Sequence, residues 1–136
     1  MEKSFQLDIL TPDREFYSDT CESLIVTTSH GEMGVLANTM PLVSNLVDGG
    51  IKILHRKKWM NAFTGVGFIE VKEDGVVLLV QSAEWPYEIK EKGAEDEVDK
   101  ISDQLKKQQS LREYKMAKAQ LARQLARLRV KRNGLD

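Results

Sequence analysis

The side chains that most often catalyse reactions or bind metals are few in this chain, and their spacing is unfavourable. His30 and His55 have no cysteine or carboxylate at a metal-ligand spacing, so we expect no metal site. Cys21 is the only cysteine, and no basic neighbour in the sequence activates it, so we interpret it as a buried or idle thiol. No glycine loop of the phosphate- or dinucleotide-binding type is present. The sequence therefore predicts no catalytic residue and no cofactor.

The segment Gly31-Glu32-Met33-Gly34 is the clearest candidate for a contact site in the first half of the chain. Its two glycines predict a loop between strands, because glycine adopts backbone conformations that other residues resist. A phosphate cradle is disfavoured, since Glu32 would repel the anion. Two interpretations stay open: a plain connection between strands, or a loop that displays Glu32 and Met33 to a partner.

Basic side chains are concentrated near the C-terminal end. Residues 108–136 hold 8 Lys or Arg and 2 Asp or Glu, although the whole chain has a net charge of −1. Three uses stay open for this basic surface: a solvated face, a nucleic-acid contact, or a contact with an acidic segment of a partner protein. Nucleic acid is the least favoured, because only Tyr114 is near enough in sequence to stack on a base. The basic residues are Arg112, Lys115, Lys118, Arg123, Arg127, Arg129, Lys131 and Arg132.

The elements that must position these residues fall into two parts, and the first is β-rich. In residues 1–85, Phe5, Leu7 and Ile9 alternate with polar residues, which predicts a strand with one buried face. Asp74-Gly75, between two strand-like runs, predicts a tight hairpin with positive φ at both turn residues. Many short strands without a helical pattern between them predict a β-sandwich or barrel of about ten strands.

The second part, residues 86–136, is predicted to be an antiparallel two-helix hairpin, which makes the fold class α+β. The change of pattern comes at Trp85-Pro86, and Gln108-Gln109-Ser110 separates the helices. Each apolar stripe is too thin to stabilise its helix alone, so the hairpin must pack against something, and more than one partner surface is possible. The stripes are Ala94, Val98, Ile101 and Leu105, then Tyr114, Ala117, Leu121, Leu125 and Leu128.

Length and composition limit the class of protein further. The chain has 136 residues, 41% of them apolar, and no stretch approaches the ~18 apolar residues of a membrane span. We see no secretory signal at the start, and a single cysteine favours a reducing compartment. We therefore expect an intracellular protein that binds other proteins. A stand-alone adaptor with a coiled-coil-like tail is one such protein.

Four segments together resemble the epsilon subunit of the bacterial and chloroplast F-type ATP synthase. They occur in the family's order and fit a β-domain followed by a helical hairpin. In the third segment, Val66 stands where the family usually has the second glycine of a pair. The segments are residues 7–13 (LDILTPD), 31–36 (GEMGVL) with Pro41-Leu42, 65–71 (GVGFIEV) and 119–130 (AQLARQLARLRV).

The resemblance implies a non-catalytic rotor subunit of the central stalk, which couples ion flow to ATP synthesis. Its partners would be the gamma subunit, the c-subunit ring and the catalytic alpha and beta subunits, with membrane contact only through the complex. The location would be the cytoplasmic face of the bacterial plasma membrane, or the stromal side of the thylakoid. The c-ring contact would be made by Gly31, Glu32, Met33 and Gly34.

The resemblance also implies regulation by the hairpin, which would lie on the sandwich or extend along gamma and inhibit ATP hydrolysis. In the extended state Lys118, Arg123 and Arg127 would meet an acidic segment of the catalytic subunit. Some family members bind ATP on the folded hairpin, and the corresponding residues would be Glu88, Lys92, Arg123 and Arg127. Glu91 stands where that motif has an arginine, so the resemblance implies weak ATP binding at most.

Overall fold

The structure, a computed structural model, describes residues 3–106 and 110–133. Residues 5–84 form ten strands, and two α-helices follow, as predicted. The strands are β1 (Phe5–Leu10), β2 (Glu15–Cys21), β3 (Ser23–Thr28), β4 (Gly31–Leu36), β5 (Leu42–Leu46), β6 (Gly49–His55), β7 (Lys58–Thr64), β8 (Gly67–Lys72), β9 (Gly75–Val80) and β10 (Ala83–Glu84). A 3₁₀ helix (Pro86–Glu88) leads to α1 (Glu91–Lys106) and α2 (Leu111–Arg132).

The strands form two five-stranded sheets that face each other as a sandwich. The first sheet has the order β2-β1-β9-β8-β5, and the second has the order β10-β7-β6-β3-β4. One core lies between them, and it includes Leu7, Ile9, Ile53 and Leu78, all of which are completely buried. The alternation in β1 therefore has the predicted consequence, since Leu7 and Ile9 point into the core and Gln6 is exposed.

Two hairpin turns show where local sequence rules succeed and where they fail. The predicted β8–β9 hairpin is present, but Lys72 pairs with Gly75, so the turn residues are Glu73 and Asp74. Gly75 belongs to β9 and has no positive φ, so the expected turn chemistry was wrong. The β6–β7 turn does have positive φ at both of its residues, Arg56 (51°) and Lys57 (67°), although basic side chains are not favoured there.

The helical hairpin begins later than its sequence pattern indicates. Pro86–Glu88 form a 3₁₀ helix and Ile89 is extended, so α1 begins at Glu91. Its predicted stripe is confirmed, since Ala94 and Ile101 are buried and the other two members are half-buried. Of the predicted link, Gln108 and Gln109 lie outside the described residues. Ser110 caps α2 by accepting a hydrogen bond from the Glu113 N–H.

Neither α1 nor α2, within the described residues, is long and apolar enough to cross a membrane.

Candidate interaction surfaces

The hairpin packs on the outer face of the second sheet through the C-terminal half of α2. Val130 is 4% exposed and packs with Phe63 and Ile89. A Cβ on Gly50 would lie 3.1 Å from Val130 Cγ2, so the absence of a side chain there permits the close approach. The buried amide of Asn61 donates a hydrogen bond from Nδ2 to the Val130 carbonyl oxygen at 3.3 Å. This contact fixes which face of α2 meets the sheet.

The predicted stripe of α2 is only partly confirmed. Ala117 and Leu128 are buried, but Tyr114 and Leu125 are 41% and 44% exposed, so their assignment to the buried stripe was wrong. Val130, which the stripe omitted, is buried instead. Because α2 meets the sheet at one end and α1 along its length, its buried face does not follow a single helical line.

Arg127 joins α2 to the edge of the second sheet. Its Nε donates to Glu84 Oε1 at 2.7 Å, and its Nη2 donates to Glu84 Oε2 at 2.9 Å. A third hydrogen bond runs from Nη1 to Gln124 Oε1 at 2.6 Å. The Arg127 side chain is 20% exposed, so it is not part of an open solvated face. This two-point geometry makes the pair more specific than an ordinary surface ion pair.

The other basic residues of α2 have different surroundings. Arg123 donates from Nη2 to Ser82 Oγ at 3.1 Å, which is a further contact between α2 and the sandwich. Lys118 is exposed and lies over the ring of Tyr114 at 5.5 Å. Arg132 pairs with Glu91 at 2.8 Å and with Glu95 at 2.7 Å, and these pairs join α2 to α1. The basic surface is therefore partly used inside the molecule.

Glu88 is engaged by a residue of the sandwich. Arg14 donates from Nη1 to Glu88 Oε2 at 2.9 Å and from Nη2 to Oε1 at 2.8 Å, and the Trp85 N–H also donates to Oε1. The Arg14 hydrogen bonds lower the pKa of Glu88 below its ordinary value of 4.5, although partial burial opposes them. Lys92 is exposed on α1. Glu88 and Arg127, two of the proposed ATP ligands, thus have separate intramolecular partners.

Residues 31–34 do not form the expected loop. They begin the edge strand β4, in which Glu32 pairs with Thr27 and Met33 pairs with Val26. The chain reverses at Ser29 and His30, and the pairing of β4 starts at Gly31, whose φ is 112°. Glu32 is exposed, as expected for a contact residue, but Met33 is half-buried and packs on the core. Only Glu32 is displayed as predicted.

An apolar surface on the first sheet was not predicted. We call it the first-sheet face; its exposed side chains are Val43 (68%), Val66 (41%), Phe68 (55%) and Leu79 (54%). Val66, Phe68 and Leu79 line a shallow depression of about 550 Å³, which Leu10, Thr11 and Pro12 also border. A signal was available in the sequence, because residues 76–80 (VVLLV) are apolar at every position. A strand with one solvated face should alternate instead.

Cys21 and His55 are held by structural contacts in this fold. Cys21 is fully buried, and burial raises the pKa of its thiol to about 11. His55 Nδ1 lies 2.8 Å from the Thr20 carbonyl oxygen, which accepts a hydrogen bond from it. No cluster of three or more His, Cys, Asp or Glu side chains that could hold a metal is present in residues 3–106 and 110–133.

Comparison with known proteins gives one consistent result. The profile of the family described as "ATP synthase, Delta/Epsilon chain, beta-sandwich domain" matches residues 4–86. An ATP synthase epsilon chain of Caldanaerobacter subterraneus is 39% identical over 131 residues, which is 96% of this chain and 95% of that one. The epsilon chain of Ruminiclostridium cellulolyticum is 41% identical over 125 residues, covering 92% and 93% of the two chains. A chloroplastic epsilon chain of Stigeoclonium helveticum is 34% identical over 130 residues, covering 96% of each.

The fold also matches solved structures. A chain in the cryo-EM structure of the Euglena gracilis mitochondrial ATP synthase, which contains OSCP, F1 and the c-ring, aligns with a TM-score of 0.81. The alignment covers 90% of this chain and 78% of that chain at 17% identity. At that identity the match concerns the arrangement of sandwich and hairpin.

Proposed function

The chain belongs to the ATP synthase epsilon chain family, and we propose that it is a non-catalytic rotor subunit in the central stalk of an F-type ATP synthase. The observation that carries the proposal is the match to epsilon chains over both parts, 96% of the chain, and not over the sandwich alone. We further propose that residues 1–85 bind the rotor and that residues 86–136 regulate ATP hydrolysis. The complex would hold the subunit peripherally at the cytoplasmic face of the membrane.

The first-sheet face is the surface that we assign to gamma. Four large apolar side chains are exposed together there, and a contiguous exposed apolar patch is typical of a protein interface. The hairpin packs on the other sheet, so gamma and the folded hairpin would not compete for the same surface. Glu32, at one end of the second sheet, is the residue that we assign to the c-ring contact.

The hairpin would act as a switch through exchange of partners. In the folded state Glu84 holds Arg127 and Ser82 holds Arg123. In an extended state both arginines, together with Lys118, would be free to meet an acidic segment of a catalytic subunit. Arg127 cannot pair with Glu84 and with a carboxylate of the catalytic subunit at the same time. Its pair with Glu84 therefore favours the folded, non-inhibitory state. The equilibrium between the states then depends on a few contacts worth a few kcal/mol in total.

Regulatory ATP binding would have to compete with contacts inside the molecule. Arg127 and Glu88 would each need to leave a bidentate partner before they could serve the nucleotide. Glu91, which pairs with Arg132, adds a negative charge at the start of α1. We therefore propose that the folded hairpin is held mainly by these ion pairs and that ATP contributes little.

Two measurements test the proposed function. The first compares ATP hydrolysis by the assembled complex with the full chain and with a chain ending at Lys90; the shorter chain should hydrolyse faster. The second measures gamma co-purification with a Phe68→Ser, Leu79→Ser double variant, which should lose gamma. A Leu111→Ser, Met116→Ser variant is the matched control, since it alters two exposed apolar residues on α2. Retention of gamma by the first variant would contradict the assigned surface.

A further inference from the structure

A cleft that the proposed function does not use lies where the β6–β7 turn approaches the segment after β10. Its volume is about 570 Å³, within the range of ordinary ligand and peptide sites. Trp59, Trp85 and Tyr87 contribute three aromatic rings to its walls. Trp59 is 40% exposed and Tyr87 is 69% exposed. The lining residues are His55, Arg56, Lys58, Trp59, Met60, Asn61, Trp85 and Tyr87.

The cleft is held in shape by contacts behind its walls. Trp85 stacks on Phe16 with ring centroids 4.4 Å apart, which fixes one wall. On the opposite side, Glu22 Oε2 accepts a hydrogen bond from the Lys57 N–H at 3.3 Å. Arg56 and Lys57 both have positive φ, a conformation that costs non-glycine residues free energy and is frequent at functional sites. The turn thus has two long cationic side chains at positions where Asn-Gly would adopt the backbone conformation at a lower cost in free energy.

The rim of the cleft is positively charged and available. In residues 3–106 and 110–133, no carboxylate forms an ion pair with Arg56, Lys57 or Lys58. The nearby acidic side chains have other partners. Asp19 contacts the His55 ring, and Glu22 accepts a hydrogen bond from the Lys57 backbone N–H. The rest of the sandwich is acidic, with 12 Asp or Glu against 7 Lys or Arg in residues 1–85. A cationic cluster in such a domain favours an anionic partner.

The backbone beside the cleft favours an extended partner. β10 pairs only with Phe63 and Thr64 of β7, so residues 58–62 have no strand on that side among the described residues. An unpaired stretch of edge strand can accept a peptide through main-chain hydrogen bonds, while a neighbouring pocket selects its side chains.

We propose that this cleft binds an acidic, extended segment of a neighbouring subunit. One apolar side chain of the segment lies between Trp59 and Tyr87, and its carboxylates meet Arg56, Lys57 and Lys58. The proposal rests on the proposed function, because the occupant is a neighbour in that assembly. The β6–β7 turn and Glu32 lie at opposite ends of the second sheet. If Glu32 faces the ring, the cleft faces the catalytic head.

The test uses a turn variant that removes charge without weakening the turn. Arg56→Asn with Lys57→Gly places the residues preferred for two positive φ angles at these positions, so stability should hold or rise. Its affinity for the gamma-containing catalytic complex should fall at least about tenfold, with a shallower salt dependence, because charges at an interface rim steer association. Lys3→Gln with Lys106→Gln, which removes two exposed cations elsewhere on the surface, should leave the affinity unchanged.

A photoreactive benzoylphenylalanine in place of Tyr87 identifies the occupant in the assembled complex. Cross-linking to an Asp- and Glu-rich segment of another subunit supports the proposal. Cross-links only within this chain, or none, with unchanged affinity of the turn variant, overturn it.

Both tryptophans of the chain line the cleft. A saturable fluorescence change of the isolated chain with ATP, lost in the turn variant, would also overturn it in favour of a nucleotide. If the wild-type chain does not bind gamma, the proposed function itself fails, which is a separate result.

Discussion

Arg127 on α2 and Glu84 on β10 are joined by two hydrogen bonds, of 2.7 and 2.9 Å, across the contact between hairpin and sandwich. Arg127 is also a residue that we assign to the inhibitory contact. The folded structure therefore occupies a side chain that the extended state would need. This relationship lets the two roles of Arg127 be separated by changing Glu84, which belongs to the sandwich.

Glu84→Gln should release the hairpin while leaving every arginine in place. Hydrogen bonds to charged groups contribute about 1.5–3 kcal/mol each, so the folded hairpin should lose roughly a factor of ten or more in population. Amide hydrogen exchange across residues 111–132 should quicken, and inhibition of ATP hydrolysis in the complex should deepen. Arg127→Gln is the contrasting variant, since it releases the hairpin and also removes the inhibitory contact. Equal inhibition by the two variants would contradict the exchange of partners.

Val130→Ala should undock the hairpin more than truncation of an exposed apolar residue of α2. The change removes two buried methyl groups, at about 0.8 kcal/mol each, and leaves space above Gly50. Leu125→Ala is the control, because Leu125 is 44% exposed and packs much less tightly. Proteolysis within residues 111–132 reports docking. If Leu125→Ala is as sensitive as Val130→Ala, the assigned docking face is wrong.

Glu32→Gln should weaken the coupling of ion flow to ATP synthesis without changing thermal stability. Glu32 is exposed on an edge strand, so its side chain contributes little to packing. Met33→Ala should instead lower the melting temperature, because Met33 packs on the core. Ion pumping and ATP synthesis in membrane vesicles measure the first effect, and a thermal melt measures the second. Normal coupling with Glu32→Gln would remove Glu32 from the proposed ring contact.

The Arg14–Glu88 pair should stabilise the fold near neutral pH and not in acid. The pKa of Glu88 is lower in the folded state than its ordinary value of 4.5. The stabilisation by the pair is therefore complete above pH 4.5 and is lost as the pH falls through the lowered pKa of the folded state. A double-mutant cycle with Arg14→Met and Glu88→Gln should give a coupling of up to about 1 kcal/mol at neutral pH, since both side chains are partly exposed. A coupling that persists at the lowest pH of the unfolding series would show that charge is not its source.

Cys21 should react with iodoacetamide only when the chain unfolds. Burial raises its pKa to about 11, so little thiolate is present at mildly alkaline pH, and the side chain is inaccessible. Labelling of the folded chain should be at least about a hundredfold slower than labelling in denaturant. Mass spectrometry at successive times gives both rates. Fast labelling under native conditions would contradict the buried position.

The sequence by itself determined the layout of two parts and the identity of most elements. Alternation over a few residues was enough to place Leu7 and Ile9 in the core. Helical spacing was enough to find α1 and α2, and four motifs in order indicated the family. These signals are local, because each depends on residues within about two turns or one strand.

The tertiary structure decided the contacts between parts that are distant in the chain. Arg127 binds Glu84, which is 43 residues away in the sequence, and Asn61 binds the carbonyl of Val130, which is 69 residues away. The periodicity of α2 does not indicate that Val130 is buried and Leu125 exposed. Val130 is buried because it packs closely against Gly50, which has no side chain. The first-sheet face and the aromatic cleft arise in the same way, because the stacking of the two sheets decides which apolar residues remain exposed. A sequence contains more apolar side chains than the core can bury, and the packing of the sheets and the hairpin determines which of them are buried.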